Sequence, residues 1–576
     1  MEHSSPDAAA TEDSGQALAF VSTDNPALRA LEGLVRDLQD GLDHPEIWPL
    51  LKEVVEANDH HDILALALKL RPAQFEPRVG KIFDLVAAIL HALAIDRAEG
   101  LALLRRMEAR DGSCPQIAGA LFFVDRAGDP AKSSDLATKF CDAPFRKFET
   151  LVDGSVAPCC SIWTQKRLGK LDNQSFEDIW NGADAQEMRA SILDGSFRHC
   201  HKQRCTYITE DTLPERDAVD DPALREIIDE GRTALATKPN WLFLAHDWTC
   251  NLACPSCRGE LLGANEAQER RFEMIERQIF HPILNSREEV LISASGQGDP
   301  WSSQHYRSLL RYMADHELNA RLDLHTNALL MTEQKWQQFA GLEKYSPLIN
   351  VSIDSCTPWV YEIVRRPGKW EKLEPNLRFI ARKRAEGIFR EFRLNATVQL
   401  DNYHEMPEMM DFAHRIGADK MLLYMIQNTG GHLARDFNRK NVADAAHPLY
   451  LAFLETLRDP RLGGAIAHLY DVANWRQRAF DASLPSDALA PGAPIEEFDR
   501  AIEDTAARGD HDMAVALCAA ARSRFGDSDA WLYAEALSLQ ALGFKQQASY
   551  RLMKARAIGC RDPAEDARFR NALVEG

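Results

Sequence analysis

Three cysteines fall within eight residues in Asp247-Trp-Thr-Cys250-Asn-Leu-Ala-Cys254-Pro-Ser-Cys257-Arg258, spaced C-x3-C-x2-C. This stretch constrains the chain more than any other, because three thiolates at that spacing can hold three metals of one cubane cluster on a single tight loop. Soft sulfur ligands suit iron–sulfur clusters or zinc. The odd number matters. A structural zinc takes four ligands, and an iron–sulfur electron carrier usually takes four cysteines. Three leave one metal position open to something that is not protein. The zinc alternative needs a distant fourth ligand, for which His246 is a candidate.

The loop directly follows an apolar, strand-like run, Trp241-Leu-Phe-Leu-Ala245. Run and spacing together resemble the radical S-adenosylmethionine superfamily. The resemblance implies that Cys250, Cys254 and Cys257 carry a [4Fe–4S] cluster whose open iron is chelated by S-adenosylmethionine. One electron then cleaves the sulfonium, giving a 5′-deoxyadenosyl radical that abstracts a substrate hydrogen. It also implies an electron donor such as a flavodoxin or ferredoxin.

At about 100–200 residues per domain, 576 residues suggest three or four domains. A net charge of −20 argues against nucleic acid or an anionic membrane as a partner. Met1 to Gly15 is polar and acidic and does not read as a secretory signal. The apolar run Leu85–Ile95 is broken by His91 and is too short to span a bilayer. Twelve cysteines without such a signal point to a reducing, cytoplasmic setting, where clustered cysteines mean metal more often than disulfides. Nine of the twelve lie between Cys141 and Cys356.

Residues 1–22 read as disordered, and 23–135 as helical hairpins, with Leu28, Leu31, Leu34, Val35 and Leu38 at helical spacing. Residues 138–210 change character. Cys141-x12-Gly154-x4-Cys159 is followed by Cys160, Leu168-Gly-Lys-Leu171, Ser175-Phe-Glu-Asp-Ile-Trp180 and Cys200-x4-Cys205. This order is similar to the SPASM or twitch auxiliary-cluster domains, although those usually follow the radical core. The resemblance implies a second [4Fe–4S] cluster on Cys141, Cys159, Cys200 and Cys205, with Cys160 spare; zinc on the same four residues is the alternative.

Residues 211–237 are a linker helix. Residues 238–430 alternate strand and helix, with strand-like runs at Trp241–His246, Glu289–Ser295, Ala320–His325, Leu348–Asp354, Phe392–Leu400 and Lys420–Ile426. Six β–α repeats imply a parallel sheet, and six rather than eight an open, partial (β/α)6 barrel with its site at the C-terminal strand ends. The expected class is α/β: that barrel, a small Cys-rich auxiliary domain, and flanking α-helical hairpins.

Motifs stand at those strand ends. Gly296-Gln-Gly298-Asp299-Pro300 is like the superfamily's Gly-Gly-Glu-Pro segment, with Asp for Glu. Thr326-Asn327-Ala328 is like Thr-Asn-Gly, and Ser352-Ile-Asp354 like Ser-Ile-Asp. The resemblance assigns Gly296, Gly298, Asp299, Thr326 and Asn327 to S-adenosylmethionine, Asp299 meeting the methionine ammonium, and gives Ser352 and Asp354 contacts to ribose or substrate. Cys356 is a candidate hydrogen-atom donor. Arg365 and Arg366 read as a solvated surface pair, and Tyr424 as a candidate pocket residue.

Residues 431–485 form a helical extension. Beyond a Pro-rich linker, in 486–576, Gly509, Ala514, Ala521 and Arg522 recur 34 residues later as Gly543, Ala548, Ala555 and Arg556, resembling tetratricopeptide repeats. The expected function is radical S-adenosylmethionine chemistry on a peptide. A sugar or other small molecule, epimerised or dehydrogenated, is the alternative substrate. A zinc-stabilised interaction scaffold is the non-enzymatic alternative.

Overall fold

The computed structural model describes Asp84, Leu85, Ala88 and residues 97–111, 136–161, 163–164, 166–200, 202, 205–209, 211–257, 260–285, 289–294, 296–427 and 434–558. The disordered segment expected at 1–22 lies outside the described residues, as does most of the helical region expected at 23–135. The chain divides into two compact units, 1–139 with 195–213, and 140–194 with 214–576.

In the first unit, α1 (Arg97–Asp111) buries Gly100, Leu104 and Met107, a stripe at the spacing of one helix face. Gly195 has φ +76°, and a Cβ there would come 2.7 Å from Ala137 Cα. A helical turn, Thr206–Thr209, follows Cys205.

The second unit is built on a ten-stranded sheet ordered β10-β9-β8-β7-β6-β5-β4-β1-β2-β3. It opens with β1 (Lys147–Leu151), β2 (Ser155–Ala157) and β3 (Gly169–Lys170), then α2 (Phe176–Trp180), α3 (Ala183–Leu193) and α4 (Pro222–Glu230). The barrel alternates β4 (Trp241–Ala245), α5 (Glu266–Ile275), β5 (Val290–Ala294), α6 (Gln304–Asp315), β6 (Ala320–Thr326), β7 (Leu348–Ser352), α7 (Pro358–Val364), α8 (Trp370–Ala385), β8 (Glu391–Val398), α9 (Met406–Ile416) and β9 (Lys420–Met425). Strands β4 to β9 pair parallel, as the six-repeat pattern predicts.

One face of this sheet is apolar and fully buried: Leu242 and Leu244, Ile292, Leu322 and Leu324, Ile349 and Val351, Leu394 and Ala396, Met421 and Leu423. The register puts Phe243, Ser293 and Asp323 together on the other face, and likewise His325, Asn350 and Arg393. A parallel sheet covered by helices on both sides would read apolar throughout. The polar alternate positions are those of a sheet curved around a space.

The auxiliary segment is not a separate layer. Strand β1 pairs parallel with β4 over five residues, Lys147↔Trp241 to Leu151↔Ala245, and so covers an open strand edge. Gly154, at φ +81°, turns the β1–β2 hairpin, as its place between Cys141 and Cys159 suggests. At the other edge β10 (Ala467–His468), between α10 (Tyr450–Leu457) and α11 (Val472–Asp481), pairs with β9.

Four helices close the chain: α12 (Ile495–Ala507), α13 (His511–Phe525), α14 (Asp529–Ala541) and α15 (Lys545–Ile558). They form two hairpins offset by the 34-residue period, with Gly509 and Gly543 in the left-handed region at matching turns. Ala514, Ala521, Ala548 and Ala555 are all buried. These helices are fused to the barrel. Tyr550 packs with Val360 and Val364 of α7. Gln547 Nε2 donates to Asp401 at 2.6 Å, and Lys554 pairs with Glu408 of α9 at 2.9 Å. No helix among the described residues is long and apolar enough to cross a membrane.

Tyr550→Ala should therefore destabilise the barrel itself, by about 3–5 kcal/mol for a buried aromatic truncation. Denaturation followed by a probe in the barrel checks this; an unmoved barrel transition would mean that the hairpins fold as an independent appendage.

Candidate metal centre

The three-cysteine loop leaves the C-terminal end of β4. Its path is set by backbone bonds: Cys250 N–H donates to Leu262 O at 3.3 Å, Ala253 N–H to Arg366 O at 2.8 Å, and Cys257 N–H to Cys254 O at 3.0 Å. Cys254 is buried, Cys250 half-buried and Cys257 exposed. None of the described cysteines forms a disulfide. Among the described residues no three His, Cys, Asp or Glu side chains are drawn into a closed metal cage.

Two side-chain donors aim at the cysteine sulfurs. Asn327 Nδ2 stands 3.7 Å from Cys250 Sγ, and Arg365 Nη1 stands 3.9 Å from Cys254 Sγ. Such donors gain little from a neutral thiol and much from a thiolate, so they suit cysteines that ligate a metal. Burial pushes the Cys254 thiol up to about 11 against the pull of the Arg365 cation. A bound metal, which takes up cysteine as the thiolate, supplies the counter-charge that burial denies.

The zinc alternative loses its proposed fourth ligand. His246 is fully buried, with Nδ1 2.7 Å from Thr150 Oγ1 and Nε2 2.9 Å from His305 Nε2. Both ring nitrogens are engaged away from the cysteines.

The glycine segment after β5 fits against this loop. A Cβ on Gly298 would come 2.5 Å from Asp247 O and 2.8 Å from Thr249 O; one on Gly296 would come 2.5 Å from the Phe243 ring. Only glycine allows these approaches. Asp299 differs from expectation. Its carboxylate is 1% exposed and accepts four protein donors: Trp301 N–H (3.0 Å), Ser302 N–H (3.3 Å), Thr326 Oγ1 (2.8 Å) and Asn327 N–H (2.8 Å). Asp299 thus ties the β5 loop to the β6 loop, and Thr326 serves that tie. Asn327, so fixed, also reaches Asn251 Oδ1 at 2.9 Å.

After β7, Ser352 is half-buried at the strand end, paired in register with Asn395. Asp354, at φ +54°, forms an ion pair with Arg365 at 2.7 Å and accepts Thr397 N–H at 2.8 Å. Arg365 is therefore not a solvated surface residue; Arg366 is exposed. Cys356 donates its N–H to Glu405 at 3.3 Å. Burial, then Glu405 and Glu408, push its thiol well above the usual range. Tyr424 stacks on Tyr470, ring centroids 4.4 Å apart.

The auxiliary cysteines fall in both units. Cys141 precedes the helical turn into β1, and Cys159 and Cys160 follow β2, with Trp163 N–H donating to Cys160 O at 2.9 Å. The next residue, Ser161, donates its N–H to Glu149 of β1 at 3.3 Å. In the other unit, burial and the neighbouring Cys205 push Cys200 up to about 12.

Residues 141–206 match the SPASM family, an iron–sulfur cluster-binding domain. The chain is 29% identical over 185 residues to the AdoMet-dependent heme synthase of Nitratidesulfovibrio vulgaris, covering 32% of this chain and 47% of that protein. It thus spans about half the length of the curated relative it matches. Among solved structures, SuiB of Streptococcus suis bound to S-adenosylmethionine is 17% identical over 37% of this chain and 46% of that one, TM-score 0.25. Native anSMEcpe with bound AdoMet and Cp18Cys peptide is 13% identical over 39% and 60%, TM-score 0.27. The resemblance to radical S-adenosylmethionine enzymes with a SPASM domain, read from the cysteine spacing, stands with the family match and the curated relative.

The buried histidine pair gives a pH prediction. Burial holds His305 down to about 4 although Asp247 and Glu276 pull it upward, and burial with His305 holds His246 well below its usual value. The unfolded chain then binds more protons than the fold below pH 6.5, the usual histidine value, so each histidine costs stability as pH falls from there toward 4. The cost is about 1.4 kcal/mol per pH unit for each. Unfolding free energy against pH should show a shallower acid slope in His305→Gln than in the native chain; equal slopes would refute it.

Proposed function

We propose that this chain is a radical S-adenosylmethionine enzyme carrying two iron–sulfur clusters. The observation that carries the reading is the open three-cysteine loop at the end of β4, bracketed by the Gly298–Asp299 and Thr326–Asn327 loops. Cys250, Cys254 and Cys257 would hold the catalytic [4Fe–4S] cluster, and the cysteines of 141–206 a second. Bound there, cluster and S-adenosylmethionine together supply one-electron sulfonium cleavage and hydrogen-atom abstraction.

The chain's residues do the rest. Gly296 and Gly298 let the β5 loop pack against Phe243 and the Asp247–Thr249 backbone, which holds it beside the cysteine loop. Asp299 locks that loop to β6 and leaves the ammonium to backbone acceptors. Asn327 and Arg365 place N–H donors on the cysteine sulfurs. Ser352 stands at the next strand end, where ribose or substrate would lie. A flavodoxin- or ferredoxin-like protein would deliver the electron.

The substrate reading is a peptide. The polar sheet face supports it: Asn395 Nδ2 donates to Asn350 Oδ1 at 2.7 Å, and Asn350 Nδ2 stands 3.3 Å from His325 Nδ1. These carboxamides and the ring match donors and acceptors of peptide groups.

Iron and acid-labile sulfide per chain after anaerobic reconstitution test the reading. About eight of each are expected, falling to about four in Cys254→Ala with loss of S-adenosylmethionine cleavage. Zinc without sulfide would end it.

A further inference from the structure

We infer that Arg365, clamped by Asp354, is a positioning residue that sets how readily the catalytic cluster is reduced; this rests on the function proposed above. A buried guanidinium is costly unless paired and hydrogen-bonded. Arg365 is buried to 13% side-chain exposure, and its partner Asp354 to 1%. So costly a pair has to be held, and the surroundings hold it. The other oxygen of Asp354 accepts Thr397 N–H at 2.8 Å, and its carbonyl accepts Asn402 Nδ2 at 2.7 Å. The following residues are pinned by Glu405, which accepts Ser355 Oγ at 2.6 Å, Cys356 N–H at 3.3 Å and the Thr357 hydroxyl.

The carboxylate and the sulfur meet different nitrogens of Arg365. Asp354 takes Nε, and Nη1 points to Cys254 Sγ at 3.9 Å. The three cysteines therefore have different surroundings. Cys254 faces a cation, Cys250 a neutral amide at 3.7 Å, and Cys257 is exposed. Net charge and hydrogen bonds at the sulfurs are the protein's main levers on cluster potential. An electron from an external one-electron reductant takes the cluster from the 2+ to the 1+ state, adding one negative charge and breaking no bond. A guanidinium donor at one ligand sulfur favours that state, and the Asp354 carboxylate behind it opposes part of its charge. Asp354 offsets the guanidinium charge, so the cation fits a buried site, and the 2.7 Å ion pair at Nε holds the guanidinium beside the cysteine loop.

The test is a dithionite titration of the reconstituted protein without S-adenosylmethionine, read by electron paramagnetic resonance of the reduced cluster. Arg365→Gln should lower the reduced-to-oxidised ratio at a given potential about tenfold, a shift of ~59 mV for one electron. Arg365→Lys, which keeps charge but not the fork, should fall between. The double variant Asp354→Asn with Arg365→Gln leaves no unpaired buried carboxylate. It should still lie below the native chain, because the donor to Cys254 is gone. A native-like ratio in Arg365→Gln, or loss of iron in both the single and the double variant, would overturn the inference. If Cys254→Ala keeps a full complement of iron and sulfide, the failure belongs instead to the proposed function.

Discussion

The carboxylate of Asp299 is the tie on which the site depends. Four N–H and O–H groups from two loops converge on its two oxygens inside a buried volume. Burial pushes its pKa up, while these four donors favour the charged form. A buried carboxylate so served cannot leave without orphaning four donors. The consequences run outward. The tie holds Asn327, which sets the amide donor on Cys250. It also fixes the strand-end backbone beside Gly298, whose close approach to Asp247 and Thr249 lets Asp299 N–H donate to Thr249 O at 2.9 Å. The two loops and the cysteine loop are one assembly rather than three neighbouring turns.

The same logic of shared partners explains why the flanking segments are not ornaments. Strand β1 brings Lys147 and Glu149 into the barrel's own sheet. They pair at 2.7 Å, with the lysine over the Phe243 ring at 4.2 Å and the glutamate accepting from Ser161 beyond Cys159 and Cys160. The Cys159–Cys160 turn is thereby linked, through Glu149 and Lys147 of its own hairpin, to Phe243 of the barrel. At the other end, Glu535 binds Arg551 at 2.5 Å and Arg522 at 3.0 Å inside the last hairpins, and Arg522 extends to Glu408 of α9 at 3.4 Å. Buried charge of this kind is costly to break by halves, so the hairpins and α9 keep one relative arrangement.

Much of this was legible in the chain. All six barrel strands could be placed because short apolar runs such as Trp241–Ala245 and Leu348–Ser352 alternate with helical stretches. The loop motifs were legible because glycine at 296 and 298 is demanded by contact, not by chance. What escaped was set by distance along the chain. Nothing local says that Lys147 pairs with Trp241, so the auxiliary segment read as a separate domain. Arg365, beside exposed Arg366, carries no periodic signal of burial; its partner Asp354 sits on another loop in a left-handed conformation. His246 could be offered to zinc only while Thr150 and His305 were unplaced.

Asp299 stands in a segment that resembles the superfamily's Gly-Gly-Glu-Pro, where the side chain is one methylene longer. A longer side chain could reach past its own loop to a ligand. The shorter one turns back and meets Trp301, Ser302, Thr326 and Asn327, and is spent on the protein. The ion pair of Arg365 with Asp354 stands instead where it bears on sulfur, Nη1 lying 3.9 Å from Cys254 Sγ.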